Sequence, residues 1–352
     1  MAMVQAVPAP DRRATARRAH VGLALLLALT SLISLAYGAS GTSLWGAMQK
    51  LATGQPLSQM EQVVLWDIRL PRLILGLAVG ASLAVSGAVM QGLFRNPLAD
   101  PGLVGVSAGA GLGAITAIVL GGLLPVAFMA AGPYLVALAA FLGGWGSTIL
   151  LYRVSTRRGR TSVATMLLAG IALGALAGAV SGILVYIADD AQLRDLTFWG
   201  LGSLAGATWA KVMVALPIMG AAIIAALFLG RGLNGLAFGE ATAAHMGIPV
   251  QRVKNIAILT VAAGIGAAVA ISGGIGFIGI VVPHLLRLAN GPDHETLLPN
   301  AALLGASLLL LADVISRMII APAELPIGIV TAVLGAPVFL WILLRRRGLV
   351  DL

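Results

Sequence analysis

The chain has 352 residues, 59% of them hydrophobic and only 10% charged, with a mean hydropathy of +1.00. A soluble domain carries about a quarter charged residues, so this composition excludes a large water-facing exterior and implies the bilayer as solvent. The net charge of +9 is spread in small clusters between apolar runs, which excludes one continuous nucleic-acid surface, and the lack of cysteine excludes disulfides and thiolate sites.

A spanning helix takes about twenty apolar residues. In chain order, residues 1–19 form an N-terminal segment with Arg12, Arg13, Arg17 and Arg18. The apolar run Val21–Tyr37 follows; it ends without a small-residue cleavage site and reads as an uncleaved first helix. Spans are predicted at 20–39, 65–93, 102–121, 133–152, 162–188, 211–230, 255–272, 276–290, 299–319 and 326–344, making 20–352 one all-α membrane domain. An even number of spans puts both ends on one side. With that side cytoplasmic, only Lys50, Arg69, Arg72, Arg194, Lys211 and Arg317 of the 22 Lys and Arg lie outside, as the positive-inside rule requires.

Within the fifth span Gly170, Gly174, Gly178 and Gly182 recur every four residues, giving a helix strip without side chains. Such a strip serves either close helix packing or a smooth wall along a wide translocation path. Between the sixth and seventh spans, 234–254 is the longest stretch on the inner side. Glu240 and Thr242 near a helix start, and Pro249 as a breaker, make it read as short amphipathic helices. That suits a docking elbow for a soluble partner or an ordinary interfacial loop.

None of the three lysines, Lys50, Lys211 and Lys254, follows a glycine, so the chain holds no G-x-x-x-x-G-K-[ST] phosphate loop. If ATP drives transport, another polypeptide hydrolyses it. Asp313 lies one turn before Arg317 and the two neutralise each other. No acidic residue sits at mid-bilayer as a proton- or sodium-coupled carrier needs. His20, His245, His284 and His294 are scattered, with no metal-binding or triad spacing, so no catalytic residue and no metal site is predicted.

Long runs then carry a resemblance: WDIRLPR (Trp66–Arg72), SGAVMQGLFRNPLADPGLVGVSAGAG (Ser86–Gly111), LLAGIALGAL (Leu167–Leu176) and LAFGEATAAHMGIPVQR (Leu236–Arg252). ISGGIGFIGIVVPHLLR (Ile271–Arg287), GPDHETLLPNAALLGASLLLLADVISR (Gly291–Arg317) and APAELPIGIVTAVLGAPVFLWIL (Ala321–Leu343) continue it. In this order they resemble the permeases of bacterial importers for iron–siderophores, haem and cobalamin, the FecCD-type or type II ABC importer family. The resemblance implies ten transmembrane helices in two halves related as an inverted repeat, in the bacterial inner membrane with both termini cytoplasmic. It implies a homodimer with the path between subunits, two cytoplasmic ATPase subunits holding ATP and Mg, a periplasmic binding protein, and no cofactor on this chain.

In that family the segment matching Leu236–Arg252 couples to the ATPase, which points to Glu240, Ala241, Thr242, His245, Met246, Gly247 and Ile248. The resemblance assigns Arg69 and Arg317, with Arg72 as a further candidate, to acidic residues of the binding protein; the alternative is anchors or partners of Asp67, Asp313 and Glu324. GRTSVATMLLAGIALGAL and YIADDAQLRDLTFWGLGSLAGATW look more like haem permeases than cobalamin ones, so haem is the expected cargo moved by alternating access. Ferric siderophore and cobalamin are alternatives within the class, and an ATP-independent channel or secondary transporter is the alternative outside it. His284 lies in the VVPHL run shared across the family whatever the cargo, which points to a structural role.

Overall fold

In lipid, every backbone amide must find its partner within the chain, which leaves helices or closed barrels. Helices form here. The computed structural model describes residues 12–38, 41–100, 102, 105–123, 134–158 and 160–345. The elements are α1 (Arg12–Ala36), α2 (Leu44–Ala52), α3 (Gln59–Leu93), α4 (Val106–Leu120), α5 (Leu135–Ser155), α6 (Val163–Ile187) and α7 (Asp190–Leu201). They continue with α8 (Trp209–Leu227), α9 (Gly230–Leu236), α10 (Glu240–His245), α11 (Val250–Ser272), α12 (Ile278–Asn290), α13 (His294–Met318) and α14 (Ile327–Arg345). A two-residue hairpin, β1 (Thr156–Arg157) with β2 (Arg160–Thr161), joins α5 to α6.

Eight of these, α1, α3, α4, α5, α6, α8, α11 and α13, are long and apolar enough to cross a membrane, and α12 and α14 are shorter apolar helices. Together they match the ten predicted spans, and the chain is an all-α membrane protein. The boundaries shift where capping overrides hydropathy. The Asp293 side chain accepts from the Glu295 amide at 3.0 Å, so α13 starts ahead of its predicted apolar run. α1 begins at Arg12, inside the segment expected to precede the membrane; residues 1–11 of that segment, and Arg346 and Arg347, lie outside the described residues. Two helices were read as connecting segments. α2 is capped by Ser43, and α7 by an Asp189–Gln192 capping box.

α3 is the axis of the bundle, enclosed by α8, α11, α12 and α13. Small residues allow this. Gly80 faces the backbone of Gly305 and Ala306, and Gly87 faces that of Gly279, so a side chain at either position would drive α13 or α12 away. α4 and α5 approach in the same way through Gly109 against Gly143. α6 stands apart. It packs chiefly on α4 and α5 and leaves most of its length uncovered by the rest of the chain.

Candidate functional site

Three regions hold the predicted site residues. The first is the end of the bundle that carries α10. Gly239 and Gly247, both at positive φ (+99° and +81°), bracket α10 and let the chain turn sharply into and out of it. Ala243 is buried, and Ile248 packs inward over Gly235. Glu240, Ala241, Thr242, His245, Met246 and Gly247 are exposed. Ile248 differs: it anchors the segment from beneath. Phe238, 73% exposed, joins the same surface and was not singled out from sequence.

The segment is tied down from inside. Lys254 is only 3% exposed, yet its ammonium lies 2.5 Å from Glu240 Oε1 and donates to the Thr161 carbonyl at 2.7 Å. Gln251 accepts from the Thr161 amide at 3.0 Å and donates to the Thr161 hydroxyl at 2.7 Å. Thr161 precedes Ser162, whose hydroxyl caps α6. On the other flank Asn234 donates to Asp293 at 2.7 Å and accepts from the His294 amide at 2.8 Å. A hydrogen-bonded chain therefore runs from α10 through Lys254 to Thr161, just ahead of the α6 cap. Sequence reading counted Lys254 as an orienting charge and missed this.

The second region is the glycine face of α6. Gly170 is buried, whereas a Cβ added at Gly174, Gly178 or Gly182 would meet nothing within 4 Å. The four do not share one environment because a step of four residues overshoots a helical turn by about 40°. Within the chain the last three make no close helix contact, and the strip they form is open.

The third region is the opposite end. A short π-helical stretch, Val63–Arg69, opens α3 and turns its arginines inward. Arg69, Arg72 and Arg317 are 3%, 5% and 5% exposed. Arg69 donates to the Leu35 and Ala36 carbonyls at 2.6 and 3.2 Å, the end of α1 where carbonyls lack helical partners. Arg72 forks onto Glu324 at 2.8 and 2.9 Å and reaches Asp313 at 2.9 Å. Arg317 lies 3.2 Å from the same Asp313 and donates to the Ser34 and Tyr37 carbonyls. The arginines expected on a docking rim thus stitch α1, α3 and α13 together. Asp313 and Glu324 are among the acceptors of Arg72 and Arg317.

A cavity of about 300 Å³ lies between α3, α7, α11 and α12, lined by Leu83, Asp100, Trp199 and Phe277 among others. Asp100 accepts from the Gly102 amide at 2.6 Å, and burial raises its carboxyl above the ordinary range. The α7 end, the 273–276 turn and the start of α14 meet backbone to backbone there: Ser203 donates to Ser272 O at 2.7 Å and Ile327 to Gly202 O at 3.0 Å. Among the described residues no cluster of His, Cys, Asp or Glu has the arrangement of a metal site. His284 is buried.

A model of the FecCD transport family matches residues 26–345. The chain is 49% identical over 281 residues to the hemin transport system permease protein HmuU of Yersinia pestis, spanning 80% of this chain and 83% of that protein. It is 43% identical over 333 residues to the vitamin B12 import system permease protein BtuC of Klebsiella pneumoniae, spanning 94% and 95%. A solved structure described as an inward-facing conformation of a metal-chelate type ABC transporter superposes with a TM-score of 0.81 at 33% identity, over 94% of this chain and 99% of that one.

Proposed function

This chain belongs to the FecCD transport family, and on that footing we propose that it forms the membrane path of a haem importer. It is a permease subunit of an ABC importer, and ATP hydrolysis resides on separate subunits. The observation that carries the cargo reading is the open face at Gly174, Gly178 and Gly182, which obstructs no broad planar molecule. The 49% identity to a hemin permease supports it. A cobalamin reading draws on the relatives named for vitamin B12, which match more of the chain, and a ferric siderophore would pass the same smooth wall.

In the proposed assembly a second copy faces the glycine strip and two ATPase subunits, holding ATP and Mg, seat on α10. Both termini are cytoplasmic in a bacterial inner membrane, and a periplasmic binding protein meets the opposite end. There the partly exposed Glu324 shields Arg72, so an acidic residue of the binding protein engages Arg72 by displacing Glu324. Arg69 and Arg317 hold the surface that presents it. Closure of the ATPase pair moves α10, the Glu240–Lys254–Thr161 chain passes the displacement to α6, and the path opens to the other side.

The test reconstitutes the permease with its ATPase and binding protein in liposomes and offers haem, cobalamin and a ferric siderophore separately. ATP-dependent haem accumulation is expected. Accumulation of either competitor without haem would overturn the cargo assignment.

A further inference from the structure

A second feature of the α10 end lies outside the proposed pathway. Between α5 and α11 runs a groove of about 170 Å³ whose walls include Trp145, Ile149 and Tyr152 on one helix and Asn255, Leu259 and Ala262 on the other. Its lining is mainly apolar, and its polar groups are used within the protein: the Tyr152 hydroxyl donates to Asn255 Oδ1 at 3.1 Å and the Thr148 hydroxyl to the Gly144 carbonyl at 2.9 Å. The helices are antiparallel, so Tyr152 and Asn255 mark the α10 end of the groove and Trp145 and Ala262 its deeper part.

Each helix carries an arginine one step beyond that end and on the groove side. Arg153 follows Ile149 by four residues, and Arg252 precedes Asn255 by three and Leu259 by seven, the spacings that share a helix face. Both are exposed, and among the described residues neither forms an ion pair. At the opposite end, a groove of about 310 Å³ between α5, α8 and α11 has one cation, Lys211, but its ammonium donates to the Gly206 carbonyl at 2.7 Å. The two grooves differ in what their charges are used for.

We propose that the α5–α11 groove binds an anionic phospholipid, its acyl chain lying against Ile149, Leu259 and Trp145 and its phosphate between Arg153 and Arg252. The charge at the mouth and the apolar length beneath it match the two halves of such a molecule. Basic pockets between helices at the cytoplasmic surface bind acidic headgroups by this arrangement, and Tyr152 at the mouth stands at headgroup depth. The site lies in the inner leaflet under the orientation given above, and it does not depend on what the importer carries. Phosphatidylglycerol and cardiolipin share the phosphodiester and are both candidates for it.

The experiment is native mass spectrometry of the purified full chain in detergent, titrated with phosphatidylglycerol, cardiolipin or phosphatidylethanolamine of matched acyl chains. The anionic lipids should bind more tightly than phosphatidylethanolamine. Arg153→Gln with Arg252→Gln should weaken them about 25-fold, from the contribution of two surface arginines beside an anionic lipid. Arg157→Gln with Arg158→Gln removes the same charge from the exposed hairpin and should leave affinity nearly unchanged. Ile149→Gln with Leu259→Gln, both at exposed groove positions, should weaken all chains in the groove without touching the charge. Tighter binding of cardiolipin than of phosphatidylglycerol would assign the site to the two-phosphate lipid, and equal binding to the shared phosphodiester. Equal losses from the two arginine pairs, or phosphatidylethanolamine bound as tightly as the anionic lipids, would overturn the proposal.

Discussion

Replacing Lys254 with methionine keeps the apolar stem of the side chain and deletes the ammonium that links Glu240 to Thr161. The Thr161 carbonyl then loses a charge-assisted donor in a buried setting, a loss of about 1–3 kcal/mol. The Glu240 side of the pair adds less, about 0–1 kcal/mol, because that carboxylate is nearly half exposed and water replaces its partner. Glu240→Gln works in the other direction. It leaves the buried ammonium with neutral acceptors only, the amide oxygen and the Thr161 carbonyl, and removes the charge that neutralises it, which places its cost above that of an exposed pair and at or below the 3–5 kcal/mol of a fully buried one, at about 2–4 kcal/mol. Because the two changes delete one interaction, the double variant should be more stable than the sum of the singles predicts, by about 0.5–3 kcal/mol. Denaturation of the purified permease measures those differences. Reconstituted transport with the ATPase and binding protein measures the functional half: ATP hydrolysis should persist while substrate moved per ATP falls in both singles. Additive stability losses together with an unchanged transport-to-hydrolysis ratio would refute the linkage.

Three further outcomes follow from the same geometry. Arg72→Leu leaves Asp313, 1% exposed, with Arg317 as its remaining guanidinium, and should cost about 3–5 kcal/mol, read as a lower unfolding midpoint; a midpoint equal to the parent's would show that the cluster does not hold α3 to α13. Gly178→Phe adds a ring beyond a Cβ that would meet no neighbouring helix within 4 Å, so folding should survive and uptake should fall sharply; full uptake would remove this face from the path. Asp100→Asn keeps an acceptor for the Gly102 amide. Burial raises the native Asp100 carboxyl above its unfolded value, so the native state holds the extra proton and the parent gains stability as pH falls through that window. The stability difference between variant and parent should therefore narrow from pH 7 towards 4, and a difference flat with pH would exclude a desolvated carboxylate.

The membrane made the spans legible. A bilayer fixes the length of an apolar helix, so runs such as Val163–Ile187 and Trp209–Leu227 announce themselves within a few residues. The short α12 was also visible because Gly273, Gly274 and Gly276 interrupt the apolar run before it. The short helix α10 was legible as a polar break with a helix start and a breaker. Direction inward or outward was not. Arg72 meets Glu324 across 252 residues, and nothing local distinguishes a buried arginine from one on a rim. Lys254 is harder still: its charge counts towards orientation by the positive-inside rule whether it faces lipid headgroups or a buried carbonyl. Glycines spaced by four suggested one uniform face, and the 40° drift per step put Gly170 in the packed part and Gly182 in the open part.

These placements bear on how one chain can be both rigid and mobile. The α3 axis is locked by Gly80–Gly305 and Gly87–Gly279 approaches and by the arginine cluster, so any displacement of α3 would disturb backbone contacts on several helices at once. α6 has no such lock along its glycine strip, and the polar ties to Lys254 and Gln251 are made by Thr161, just ahead of its Ser162 cap. A push on α10 therefore meets little resistance in α6 and much in α3. Had Gly174, Gly178 and Gly182 been packed as Gly109 is against Gly143, the same push would have had to separate helices in van der Waals contact. In the proposed cycle the open strip would do two things together: leave room for a cargo, and leave α6 free to follow α10.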